Sequence, residues 1–227
     1  MRRRSNNGAE PQTSSGPFLL GFGDMPVFAQ LCQAKLPGVD TFNIVDDSLV
    51  RQIGEKGGIT PAIAARVTAY LESAASGGAD RILVTCSSIG PAVDAAPSVG
   101  VPVLRVDEPM ADRAVQIGRR VGVIATLRTT LTPTADLVRR RAHAAGKTIE
   151  LTSRLCDGAF EALMAGDPAN HVALGAAAVR ELSAQVDVII LAQASMSRVV
   201  GELAEADRRV PILASPGIAV DHLATVL

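Results

Sequence analysis

The chain has 227 residues, which suits one large domain or two small lobes. Hydrophobic residues make up 48% and charged residues 20%, so a buried core is affordable and global disorder is excluded. Lysine and arginine number 22 against 23 acidic residues, and aromatics are 3% with no tryptophan. Neither a phosphate-neutralising excess nor stacking platforms are present, which argues against nucleic acid as a partner.

Met1-Arg2-Arg3-Arg4 is basic, but Ser5 to Gly16 is polar with no apolar stretch behind it. Residues 1–16 therefore read as a disordered tail rather than a secretion signal. No run reaches the roughly 18 apolar residues of a membrane span. Three cysteines, Cys32, Cys86 and Cys156, lack CxxC spacing and fit a reducing cytoplasm better than a disulfide framework.

Eight short apolar runs read as strands: 18–21, 39–45, 81–85, 102–106, 121–125, 148–152, 186–192 and 211–214. The run Val186-Asp187-Val188-Ile189-Ile190-Leu191-Ala192 has no alternation after Asp187, as expected of a strand covered on both faces. Between the strands lie amphipathic stretches. Thr60-Pro61 is an N-cap followed by proline at the first helical position, and that helix stops at Gly77-Gly78. Further helices are expected from Asp107 to Gly118 and from Thr132 to about Ala145. Alternation of this kind predicts an α/β fold with mostly parallel sheets flanked by helices, and places chemistry beyond the carboxyl ends of the strands.

The segment from Ala79 to Ile89 repeats in that from Val186 to Met196, and Val101-Pro102-Val103-Leu104 repeats in Val210-Pro211-Ile212-Leu213. Two pseudo-symmetric lobes follow, each with a four-stranded sheet and with the active site in the cleft between them. Lobe 1 is expected over 17–106 plus 214–227, and lobe 2 over 107–213. The repeat makes Cys86 and Gln193 equivalent, and sets Asp47 against Cys156.

Cys86 ends an apolar strand and begins a turn, where backbone N–H groups and a helix dipole favour thiolate. Gln193, its counterpart, has no acid–base chemistry near neutrality. The repeat puts Cys156 beyond a second-lobe strand, where it either reaches the cleft or packs as a non-functional cysteine. Asp47 either caps the helix after it or orients a substrate amine. Thr126, Ser87, Ser88 and Ser195 are candidates for carboxylate binding, with capping as the plainer role, which is preferred for Thr129 and Thr130. Gly21-Phe22-Gly23-Asp24-Met25-Pro26 half-imitates a dinucleotide loop, but proline stands where the third glycine is needed. His143, His171 and His222 show no ligand spacing, so no metal is expected, and His143 and His171 read as helix-surface residues.

TCSSIG, VDEPM, GVIATLRTTLTPT, LCDGAF and LAQASM together resemble the aspartate/glutamate/hydantoin racemase superfamily over Phe18 to Leu227. The resemblance implies a cofactor-independent isomerase in which one cysteine from each lobe flanks a carbon acid, with a small carboxylate as substrate. Cys86 matches the first cysteine of that pattern and Gln193 stands at the second, so Cys156 is the candidate replacement as second catalytic thiol. It also implies the threonine stretch at Thr126 and the hydroxyls beside Cys86 as carboxylate holders, and the Gly21–Pro26 loop as pocket lining, where Phe22 would be an apolar wall. Maleate-isomerase-like or arylmalonate-decarboxylase-like chemistry, or a binding protein without turnover, are the alternatives. The oligomeric state is open, a homo-oligomer included.

Overall fold

The computed structural model describes residues 18–21 and 25–227. The expected tail and Phe22 lie outside the described residues. The strands are β1 (Phe18–Gly21), β2 (Phe42–Val45), β3 (Ile82–Val84), β4 (Val103–Arg105), β5 (Arg120–Ala125), β6 (Glu150–Leu155), β7 (Val188–Leu191) and β8 (Ile212–Ala214). The helices are α1 (Met25–Lys35), α2 (Ser48–Lys56), α3 (Pro61–Ser76), α4 (Gly90–Ala95) and α5 (Glu108–Ile117) in the first half of the chain. They continue with α6 (Arg128–Ala144), α7 (Ala159–Met164), α8 (Pro168–Ser183), α9 (Ser197–Glu202) and α10 (Ser215–Val226).

The strands form two four-stranded sheets, ordered β2-β1-β3-β4 and β6-β5-β7-β8. Every pairing is parallel. The second order repeats the first with equivalent strands, so the internal repeat in sequence is a repeat of topology. Each sheet is buried on both faces. In the first, α2, α3 and α4 cover one side and α1 and α10 the other. In the second, α5 and α6 lie on one side and α8 and α9 on the other. The continuous runs Ile82-Leu83-Val84 and Val188-Ile189-Ile190-Leu191 are fully buried for this reason.

Local chemistry sets several element ends. Thr60 accepts a hydrogen bond from the Ile63 amide at 3.3 Å and Pro61 follows, so α3 starts where the cap predicts. The helix expected from Thr132 instead begins at Arg128, with Leu127 as its extended N-cap. Pro133 lies inside α6, as its sixth residue, and cannot donate to the Thr129 carbonyl one turn back. The strand expected over 148–152 runs over 150–155, because its partners are set by β5, from Arg120 opposite Glu150 to Ala125 opposite Leu155.

The two sheets are clipped together by polar contacts. Asp94 on α4 accepts from Arg140 on α6 at 2.6 Å and from Arg105 at 2.5 Å. Ser88 and Thr130 hydroxyls meet at 2.8 Å. The C-terminal helix returns to α1, where Lys35 pairs with Asp221 at 2.6 Å. Among the described residues no helix is long and apolar enough to cross a membrane.

Candidate active site

In each sheet the chain reverses its lateral direction between the first and third strands, β1/β3 and β5/β7. Ligand crevices in open parallel sheets form at such switch points, beyond the carboxyl ends of the strands. Cys86 follows β3 and Gln193 follows β7. Both are extended residues, at φ −117° and −125°, and each starts a 3-10 turn: Ser87–Ile89 and Ala194–Met196. A cavity of about 350 Å3 is lined by both, together with Asp47, Thr85, Ser87, Ser88, Thr130, Ser195 and Arg198. That volume suits a small molecule.

The Ser88 and Ile89 amides and the Ser88 hydroxyl act on the Cys86 thiol as donors that favour its ionised form. Burial dominates these donors and pushes the thiol above its ordinary value, with the negative charge of Asp107 adding to the rise. The expectation of a thiolate favoured at rest is therefore corrected. The donors soften the cost of ionisation but do not abolish it. Behind the turn, Arg105 (3% exposed) forms a bidentate pair with fully buried Asp107, at 3.0 and 2.8 Å. A Cβ at Gly90 would fall 2.3 Å from the Arg105 guanidinium, so glycine is required there to let the ion pair pass beneath the turn.

Gln193 is held by Thr126. The Thr126 amide and hydroxyl both donate to Gln193 Oε1, at 2.5 and 3.0 Å. Thr126 is buried and is absent from the cavity lining, so its polar groups serve the glutamine rather than a ligand. Ser87, Ser88 and Ser195 line the cavity as the sequence suggested. Asp47 does too, because the adjacent Asp46 performs the capping: its carboxylate accepts from the Ser48 amide at 3.0 Å and the Tyr70 hydroxyl at 2.7 Å. Burial raises the Asp46 carboxyl, but these hydrogen bonds and Arg66 outweigh it and hold it below the ordinary value.

Cys156 is placed elsewhere. It follows β6 and donates its amide to Ala125 O at 2.8 Å, but its side chain packs with Ile124, Ala159 and Val179 in the core beneath α7. Burial pushes its thiol up to about 11. It is not among the residues lining the cavity, and this corrects its candidacy as the second thiol at the site. The physical reason is the turn at Gly158, whose φ of +79° sends α7 over the strand end and seals the cysteine under it.

Sequence reasoning missed several lining residues. Thr130, read as a cap, is buried, faces the cavity and bonds Ser88 from the other lobe. Phe160, Leu163 and Met164 of α7, with Val50 and Leu127, form an apolar wall. Arg198 is exposed on α9 and is the cation in the lining. A period-four search from Gln193 would not have found it, since α9 begins only after a 3-10 turn. His171, expected on a helix surface, is fully buried and donates from Nδ1 to Ala159 O at 2.9 Å. Arg128 and Thr129 lie outside the cavity lining. Among the described residues no group of three or more His, Cys, Asp or Glu could hold a metal.

Solved structures of similar fold include a glutamate racemase from Bacillus anthracis, with 20% identity, 94% of this chain and 81% of that one covered, and a TM-score of 0.68. A glutamate racemase from Thermus thermophilus, in complex with beta-chloro-D-alanine, matches at 22% identity over 94% and 80%, with a TM-score of 0.69. An allantoin racemase from Klebsiella pneumoniae matches at 17% identity over 93% and 87%, with a TM-score of 0.63. At such identities the likeness is one of fold. Among curated protein sequences none matches. Residues 25–223 match the model of the family described as Asp/Glu/Hydantoin racemase, and the chain belongs to that family.

Proposed function

We propose that this protein is a cofactor-independent isomerase of racemase type that acts on a small carboxylate through Cys86. The observation that carries the reading is the Cys86 thiol, ringed by two amides and a hydroxyl, in a cavity shared by both lobes. Ionised, it is a base for a carbon-bound proton or a nucleophile for an activated carbon. Ser87, Ser88 and Ser195 supply hydroxyls for the carboxylate and Arg198 supplies the opposing charge, while Asp47 suits a substrate amine or amide. The wall of Phe160, Leu163 and Met164 favours an apolar substituent on the substrate over a second charged one. Three free thiols support a cytoplasmic site of action.

Gln193 favours a second reading, in which one thiol is enough: decarboxylation of a substituted malonate, or cis–trans isomerisation by transient addition. The test is solvent deuterium incorporation into amino acids, hydantoins and substituted malonates. Incorporation by wild type, Cys32→Ala and Cys156→Ala but not by Cys86→Ala supports the reading. Retained turnover in Cys86→Ala overturns it. A raised melting temperature with no exchange assigns the protein to binding without turnover.

A further inference from the structure

The geometry points to Gln193 as a fixed hydrogen-bond donor to the substrate, at the strand end equivalent to that of Cys86 and supplying no acid or base to the second face of the reacting carbon. This rests on the assignment of Cys86 as the reacting group and takes the one-thiol reading of the site in place of two-face racemisation. One side-chain atom of Gln193 receives both the Thr126 amide and the Thr126 hydroxyl. A backbone N–H can only donate, so that atom is the carbonyl oxygen, and the two donors occupy its lone pairs. The amide nitrogen is then the end left over. Among the described residues nothing accepts from Nε2, and it is not a sealed, unpartnered atom, so it opens to the cavity that Gln193 lines.

Rotation of the amide by half a turn would set its NH2 against the Thr126 N–H, donor against donor. Thr126 therefore locks the orientation and acts as a positioning residue. The ordinary use of this strand end is visible in its repeat, where Cys86 occupies the same backbone conformation. At that second position the chain carries a neutral donor with no proton to exchange near pH 7.

The chemistry that follows is one-sided. Ionised Cys86 takes the proton from the carbon beside the carboxylate. The C–H electron pair moves into the carboxyl group, and the resulting enediolate oxygen accepts a hydrogen bond from Gln193 Nε2. While the enediolate persists, the Cys86 S–H gives up its proton to solvent and takes a deuteron from it. The deuteron is delivered from sulfur to the same face, so exchange proceeds with retention of configuration. Substrates whose acidified carbon carries a carboxylate or carbonyl oxygen within reach of Nε2 are the class served.

The experiment incubates wild type in D2O with the separate enantiomers of 2-phenylpropionate, phenylalanine and glutamate, following deuterium by mass spectrometry and configuration by chiral chromatography. Deuterium entering one enantiomer without inversion is the expected result. Gln193→Glu, which keeps the volume and replaces the donor by an acceptor, should lower kcat for exchange by roughly 100- to 1,000-fold, the effect of losing one oxyanion donor. Thr126→Val should lower kcat more than it changes KM, and Thr126→Ser should restore it. Gln193→Cys should convert retention to inversion. Inversion by wild type at the rate of exchange overturns the inference while leaving Cys86 in place, and exchange surviving Cys86→Ala overturns the assignment on which it rests. Absence of exchange with every probe removes both.

Discussion

The hydroxyls of Ser88 and Thr130 meet at 2.8 Å across the two lobes, and the Ser88 hydroxyl also favours the ionised form of Cys86. A serine has one hydroxyl proton. With that proton on the thiol, Thr130 supplies the proton of the inter-lobe bond, giving a chain from Thr130 through Ser88 to sulfur. A residue of one lobe thus acts, through Ser88, on the thiol of the other.

Removing the last donor in this chain should make the thiol harder to ionise. Ser88→Ala is expected to move the Cys86 pKa further up, because burial still opposes the thiolate and one of its three donors is gone. Thr130→Val should shift it in the same direction by less. The measurement is the rate of Cys86 alkylation by iodoacetamide as a function of pH. In wild type the rate should keep rising beyond the ordinary thiol value of about 8.5, and in Ser88→Ala the curve should move to higher pH. A curve unchanged by Ser88→Ala would show that the hydroxyl does not reach the sulfur.

Arg198 should select for negative charge. Iodoacetate and iodoacetamide attack the same sulfur but differ in charge, so the ratio of their rates at Cys86 reports the field of the cavity. Loss of a hydrogen bond to a charged group costs roughly 1.5–3 kcal/mol, which corresponds to about tenfold or more. Arg198→Met should lower the iodoacetate to iodoacetamide ratio by about tenfold at low ionic strength and by less in high salt. An unaltered ratio would remove Arg198 from the carboxylate site.

Breaking the buried pair under the Cys86 turn should be costly. Asp107 is fully buried and its charge is met by Arg105 on two oxygens. Arg105→Met leaves that carboxylate without its partner, and such changes destabilise by roughly 3–5 kcal/mol. Urea denaturation should show a lower midpoint with an unchanged slope. Gly90→Ala should also destabilise, since the added methyl meets the guanidinium rather than open space.

Asp187 makes a prediction about acid. It accepts from the Arg119 and Arg120 amides and from the Arg120 side chain, and these bonds hold its carboxyl down to about 2. Unfolded, an aspartate titrates near 3.9. Its contribution to stability is therefore fully present above about pH 4 and is lost as pH falls toward 2. Asp187→Asn should flatten stability over that window and leave the pH dependence near neutrality unchanged, as read from melting temperatures between pH 2 and 7.

Much of the architecture was legible in the sequence because its signals are local. Apolar runs without alternation marked strands covered on both faces, and Thr60-Pro61 marked a helix start. The repeat of Ala79–Ile89 in Val186–Met196 made Cys86 and Gln193 equivalent, because one strand-and-turn unit serves both sheets. The roles of individual polar residues were less legible. Asp46 and Asp47 are adjacent and identical, and which one caps and which faces the cavity depends on where Tyr70 and Ser48 lie.

What the sequence determined by itself was the pair of parallel sheets, their repeat and the strand ends where chemistry gathers. These follow from hydrophobic periodicity and turn residues, which act over a few positions. Only the tertiary structure decided that Cys156 is sealed beneath α7, that Thr126 spends its donors on Gln193, and that Thr130, Arg198 and the α7 wall share the cavity with Cys86. Each of those depends on how helices from different parts of the chain settle against a strand end. Burial and donor direction are properties of that packing, not of neighbouring residues in the chain.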